Sequence, residues 1–70
     1  MFLPGVDSYR TVLRAAEIAD EQGLWLYSNG TKAKVTMHEN VGRLGSNDQL
    51  TNVVNVYRDS NNVIHGSPGN

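Results

Sequence analysis

Apolar residues recur at helical spacing over the first third of this chain and then switch to strict alternation. Tyr9, Val12, Leu13, Ala16 and Ala19 fall on one stripe, while Arg10, Arg14, Glu17 and Glu21 fall opposite it. The stripe predicts a helix from Asp7 or Ser8 to Gln22. Either of the first two residues can cap it, because a short side chain bearing oxygen accepts a hydrogen bond from a free backbone N–H of the first turn. Gly23 stands where a helix ends in the left-handed conformation, which glycine enters without a Cβ clash. Ile18 lies off the stripe, on a side shared with Thr11 and Ala15. It reads either as a wide core contact or as part of a second helix face that meets a partner.

After Gly23 the period becomes two. Leu24–Tyr27 and Lys32–Met37 are runs rich in strand formers, separated by Ser28-Asn29-Gly30-Thr31. Asn-Gly is the pair that a type I′ hairpin turn prefers, since both central residues need positive φ. A hairpin turning there sets Tyr27 opposite Lys32, Leu26 opposite Ala33, Trp25 opposite Lys34 and Leu24 opposite Val35. Leu24, Leu26, Ala33, Val35 and Met37 then share one face, which reads as core. Trp25, Tyr27, Lys32, Lys34 and Thr36 share the other.

From His38 to Leu50 the pattern breaks up around Gly42, Gly45, Ser46, Asn47 and Asp48, which reads as a long irregular connection displaying Glu39, Arg43 and Asp48. Leu50 to Arg58 fits two patterns. Leu50, Val53, Val54 and Tyr57 have helical spacing, and Ser46 with Gln49 matches a capping box. Against this, Thr51 to Val56 is a run of poor helix formers. Asp59-Ser60-Asn61-Asn62 also offers a tight turn that would return Val63-Ile64-His65 onto the same stretch, so strand is preferred. The expected fold is α+β: an N-terminal helix packed on a small antiparallel sheet of three to four strands, order αββββ. If Leu50–Arg58 is helical the order becomes αββαβ. Residues 1–65 make one domain, and Gly66 to Asn70, with nothing apolar to anchor it, is expected to be a flexible tail.

Composition narrows the chemistry. A chain of 70 residues without cysteine has a small core and no disulfide or thiolate metal site to reinforce it. Close packing or self-association remain, so a homodimer is one expectation. Six Lys and Arg stand against seven Asp and Glu, for a net charge of −1. Nucleic acid is therefore the less expected partner, because phosphate binders carry a marked positive excess or stripe. The first residues lack the pattern of a signal peptide, and no stretch reaches the ~20 apolar residues of a membrane helix. The expected location is cytoplasmic, with no membrane contact.

No constellation points to catalysis. His38 and His65 lack the paired spacing of metal ligands, so no metal is expected. Asp7, Ser8 and a histidine supply hydrolytic ingredients without a nucleophile elbow. Gly42-Arg43-Leu44-Gly45-Ser46 lacks the spacing and the Lys-Ser/Thr ending of a phosphate loop. No cofactor is implied, and the chain is read as not an enzyme.

The hairpin face with Trp25, Tyr27, Lys32 and Lys34 is the surface that invites a functional reading. Cation–π contacts across the strands explain it by packing alone. The same aromatics can anchor a protein interface, or stack bases while the lysines meet phosphates. In a sheet covered on both sides, Trp25 and Tyr27 would instead be core. The acids near the helix end, Asp20 and Glu21, read as a solvated face or an acidic patch. The sequence thus points to a small non-catalytic module, an inhibitor, adaptor or regulatory subunit of phage or plasmid type. It would bind a larger protein through Trp25, Tyr27, Lys32 and Lys34, or through Ile18, with Arg43 contributing. The alternative is weak nucleic-acid binding by the same hairpin face.

Overall fold

A computed structural model describes residues 1–70. The helix α1 spans Ser8–Gln22, and five short strands follow: β1 Lys32–Thr36, β2 Gly42–Arg43, β3 Leu50–Thr51, β4 Val53–Arg58 and β5 Ile64–Gly69. The fold is α+β. α1 lies on a three-stranded antiparallel sheet of order β1-β4-β5, and β2 with β3 form a separate two-stranded ribbon. No helix is long and apolar enough to cross a membrane.

The caps anticipated for α1 are both present. Asp7 accepts from the Arg10 N–H at 3.1 Å. Gly23 takes the left-handed conformation at φ 67°, and the Leu24 N–H closes the last turn on the Ala19 carbonyl at 2.9 Å. The buried side of the helix differs from the expected stripe. Ala15, Ala16 and Ala19 are buried and Val12 and Ile18 half-buried, whereas Tyr9 is 73% exposed and Leu13 lies open. The reason lies in the sheet below, where Ala33 and Gly66 present almost no side chain. The helix therefore approaches on its smallest residues, and Tyr9 or Leu13 in that seam would hold it away. The side holding Ala15 and Ile18 thus packs on the core, with Ala15 buried and Ile18 half-buried at its margin.

The expected first hairpin forms at a single pair. Ser28, Asn29 and Gly30 turn with φ of 51°, 56° and 84°, and Tyr27 pairs with Lys32. Leu24, Trp25 and Leu26 do not continue as a strand. The Leu24 N–H is spent on the helix cap, and the Leu26 N–H bonds back to the Leu24 carbonyl at 2.8 Å. β1 instead takes β4 as its partner, Lys32 opposite Tyr57 through Thr36 opposite Val53. Leu26, expected in the core, is 72% exposed.

Residues 50–58 are strand, as preferred, interrupted at Asn52. There Thr51, a buried hydroxyl, donates to the Gly69 carbonyl at 2.6 Å and accepts from the Val53 N–H at 3.1 Å. At this interruption the chain passes from the ribbon to the main sheet. The connection expected to be irregular over 38–50 is partly ordered by that ribbon, and Phe2 bridges to Gly42 on its far side. Asp59 Oδ1 accepts from the Asn61 and Val63 N–H groups, and Asn62 adopts φ 64°, making the last turn.

The segment 66–70 is not a free tail. Gly66, Ser67, Pro68 and Gly69 pair with Val56, Asn55, Val54 and Val53 as the edge strand β5. Two small features make this pairing work without apolar anchors. Gly66 admits Val12 of the helix, and Pro68 sits on an edge strand, where proline is tolerated. The core between helix and sheet is Ala15, Ala16, Ala19, Ala33, Val35, Val54 and Val56, with Val41 beside the ribbon.

Candidate functional site

α1 covers one face of the three-stranded sheet, and no element packs across the other. Because side chains alternate, the strand register writes out this open face directly. Its three rows are Lys32–Tyr57–His65, Lys34–Asn55–Ser67 and Thr36–Val53–Gly69. Tyr27 joins it beyond β1. The face contains no Asp or Glu, although the whole chain carries −1.

Ring and cation are matched twice here. Lys32 Nζ lies 5.2 Å from the centre of the Tyr57 ring, and Lys34 Nζ lies 5.6 Å from that of Tyr27. Such contacts contribute about 0.5–1 kcal/mol each at exposed sites. Lys34 Nζ also donates to the Asn70 carbonyl at 2.7 Å. The ammonium groups are therefore held in place, while the tyrosines remain 45% and 39% exposed. Between them, Asn55 Oδ1 is buried with no hydrogen-bond donor, its amide lying against Gly69.

Tyr27, Lys32 and Lys34 thus come together as the sequence suggested, but Trp25 leaves them. Trp25 sits half-buried on the helix side and packs against the core. Its Nε1 donates to Asp20 Oδ1 at 2.7 Å, and the Arg58 guanidinium stacks 4.2 Å from its ring centre. Arg58 also donates from Nε to the Gly30 carbonyl at 2.9 Å, which ties the turn to the end of β4. A strand pairing of 24–27 with β1 would have put Trp25 on the open face. Without that pairing it swings into the gap at the helix end.

Ile18 packs against the core. Arg43 lies on the ribbon, outside the three-stranded sheet, where its Nη1 holds the turn through the Asp48 carbonyl at 2.9 Å. The helix acids are engaged as well: Arg14 pairs with both Glu17 and Glu21 at 3.5 Å, and Asp20 with Trp25. His38 follows the Thr36 end of β1, while His65 stands in the Lys32 row at the opposite end of the sheet. No group of three or more His, Asp or Glu side chains is arranged to hold a metal ion. Tyr57, Asn55, Ser67 and His65 enter the face only through the long-range pairing. The sequence places Tyr57 in a stretch that fits both helical spacing and a strand, and carries no sign of the lysine it meets.

No family model, no curated protein and no solved structure matches this chain at a significant level.

Proposed function

We propose that this chain is a non-catalytic protein-interaction module that docks a larger protein through the open face of its three-stranded sheet, against a surface rich in carboxylates. One observation carries this reading: two exposed tyrosines, each beside a lysine, on a face without a single acid. Tyrosine provides a large contact area at low entropic cost and is enriched among residues that dominate interface energies. The local positive charge, set against a net charge of −1, selects an acidic counterpart and raises the encounter rate with it. An inhibitor, an adaptor or a small regulatory subunit would all act by such occupancy.

The test is affinity capture with chemical crosslinking, using the full chain, a Tyr27→Ala/Tyr57→Ala variant and a Lys32→Glu/Lys34→Glu variant. The expected result is a protein that survives nuclease treatment and is lost from both variants. Its crosslinks should join the tyrosine–lysine face to an acidic surface. Retention of that protein by the variants would refute the reading. Recovery that disappears with nuclease, together with binding to single-stranded DNA or RNA that weakens steeply with salt, would transfer the same face to nucleic acid.

A further inference from the structure

β1 is an edge strand, and most of its outward backbone is unclaimed. Thr31, Ala33, Val35 and Met37 turn their backbone groups toward β4. The Thr31 carbonyl accepts from Arg58 at 2.9 Å and the Met37 N–H donates to Asn52 at 2.7 Å, with Ala33 and Val35 opposite Val56 and Val54 between them. Alternate residues of a strand aim their backbone groups to opposite sides, so Lys32, Lys34 and Thr36 aim theirs away from the sheet. Tyr27 takes those of Lys32, through two reciprocal bonds of 3.1 Å. Lys34 and Thr36 have no such neighbour, and their N–H and C=O groups form a short open template for another strand.

Beside this edge lies the largest surface cavity, about 480 Å³, between the C-terminal half of α1 and β1. Ile18, Leu24 and Met37 line it, with Glu21, Lys34 and His38 around them. A free strand edge next to a groove of mixed character, with an apolar cluster among charged and polar groups, is an arrangement that captures extended peptides. Main-chain bonds then supply affinity and a pocket for alternate side chains supplies specificity.

We infer that the edge of β1 receives an extended segment of a partner protein, added as a fourth strand, whose side chains alternate between apolar and acidic. The alternation follows from the register. Residues bonded to Lys34 and Thr36 share the lysine face, where an acid meets the Lys34 ammonium. Their neighbours point into the groove of Ile18, Leu24 and Met37. A second copy of this chain is the poorer occupant. Pairing two β1 strands would place four lysines on one face that holds no carboxylate. The inference rests on the reading of the chain as a protein-binding module. It differs in the surface used, a backbone edge and groove in place of the tyrosines.

The test is selection of a random peptide library on the full chain, followed by titration of the enriched peptide against wild type, Thr36→Pro and Tyr57→Ala. Proline at 36 removes an N–H that β4 does not use, so the β1–β4 ladder survives while strand addition is blocked. Enriched sequences should alternate apolar and acidic residues, and Thr36→Pro should weaken binding roughly tenfold or more. Bound peptide should also slow hydrogen exchange at the Lys34 and Thr36 amides of the unsubstituted chain, a readout that decides the matter even if Thr36→Pro does not fold. No enrichment, or unchanged exchange at those amides, overturns the inference. A peptide that loses affinity in Tyr57→Ala but not in Thr36→Pro binds the open face, which overturns the edge while leaving the function above standing. A dimer of this chain that Thr36→Pro dissociates would give the edge to a second copy and overturn the inference as well.

Discussion

Replacing Gly66 by alanine should loosen the helix from the sheet. A Cβ at this position would lie 2.8 and 3.0 Å from the two methyl groups of Val12 and 3.2 Å from the Asn55 carbonyl oxygen. Optimal carbon–carbon contact lies at about 3.5–4.0 Å, so either the helix or β5 must give way by ~0.5–1 Å. Val12 cannot rotate aside, because a β-branched side chain in a helix is confined to one rotamer. Overpacking of this kind costs about 1–3 kcal/mol. A domain of this size has a total stability of only about 4–10 kcal/mol, and each kcal/mol moves Tm by about 4–8 °C. Thermal unfolding followed by circular dichroism should therefore show Tm lowered by roughly 5–20 °C. Val12→Ala alone removes two half-buried methyls, for about 1 kcal/mol. Combined with Gly66→Ala it vacates the space that the new methyl needs, so the double variant should be less destabilised than the sum by about 1 kcal/mol. If Gly66→Ala stays within about 0.5 kcal/mol of the parent, or if the two changes simply add, the reasoning fails. The near-neutral result is the one that a free tail over 66–70 would give.

Two further outcomes follow from the same packing. Trp25→Ala should destabilise the chain by about 1–3 kcal/mol in urea unfolding, less than a fully buried tryptophan would, because the ring is half-buried yet carries the Arg58 stack and the Asp20 bond. A loss below about 0.5 kcal/mol would return Trp25 to the surface. Asp7→Ala removes the oxygen that caps α1 and should cost about 0.5–2 kcal/mol, with Asp7→Asn retaining most of the stability.

The parts of this molecule legible in its sequence are those governed by neighbours a few positions away. Asp7 or Ser8 marks one end of α1 and Gly23 the other, because capping is a bond between a residue and the next turn. Asn29-Gly30 marked the turn and so the Tyr27–Lys32 pair, because positive φ is a property of the residues themselves. The strand character of 53–58 followed from β-branched side chains that fit a helix poorly. The candidate site is legible only in part: alternation alone puts Tyr27, Lys32 and Lys34 on one face, whereas Trp25 leaves that face and Tyr57 and His65 enter it through long-range pairing.

What only the tertiary structure decided is which segment pairs with which. Alternation tells that Ala33 and Val35 face a core, but it is equally compatible with Leu24–Tyr27 or Val53–Arg58 as the neighbouring strand. The choice fell to Val54 and Val56, which are buried against the alanines of α1, while Leu24 was already committed to closing the helix. That choice sent Trp25 to Arg58, brought Tyr57 beside Lys32, and drew the glycine-rich 66–69 into the sheet. The sequence determined the pieces through local backbone chemistry. Their partners depended on how closely a helix of small residues could approach a sheet of small residues, which is a property of the assembled surfaces and not of either one alone.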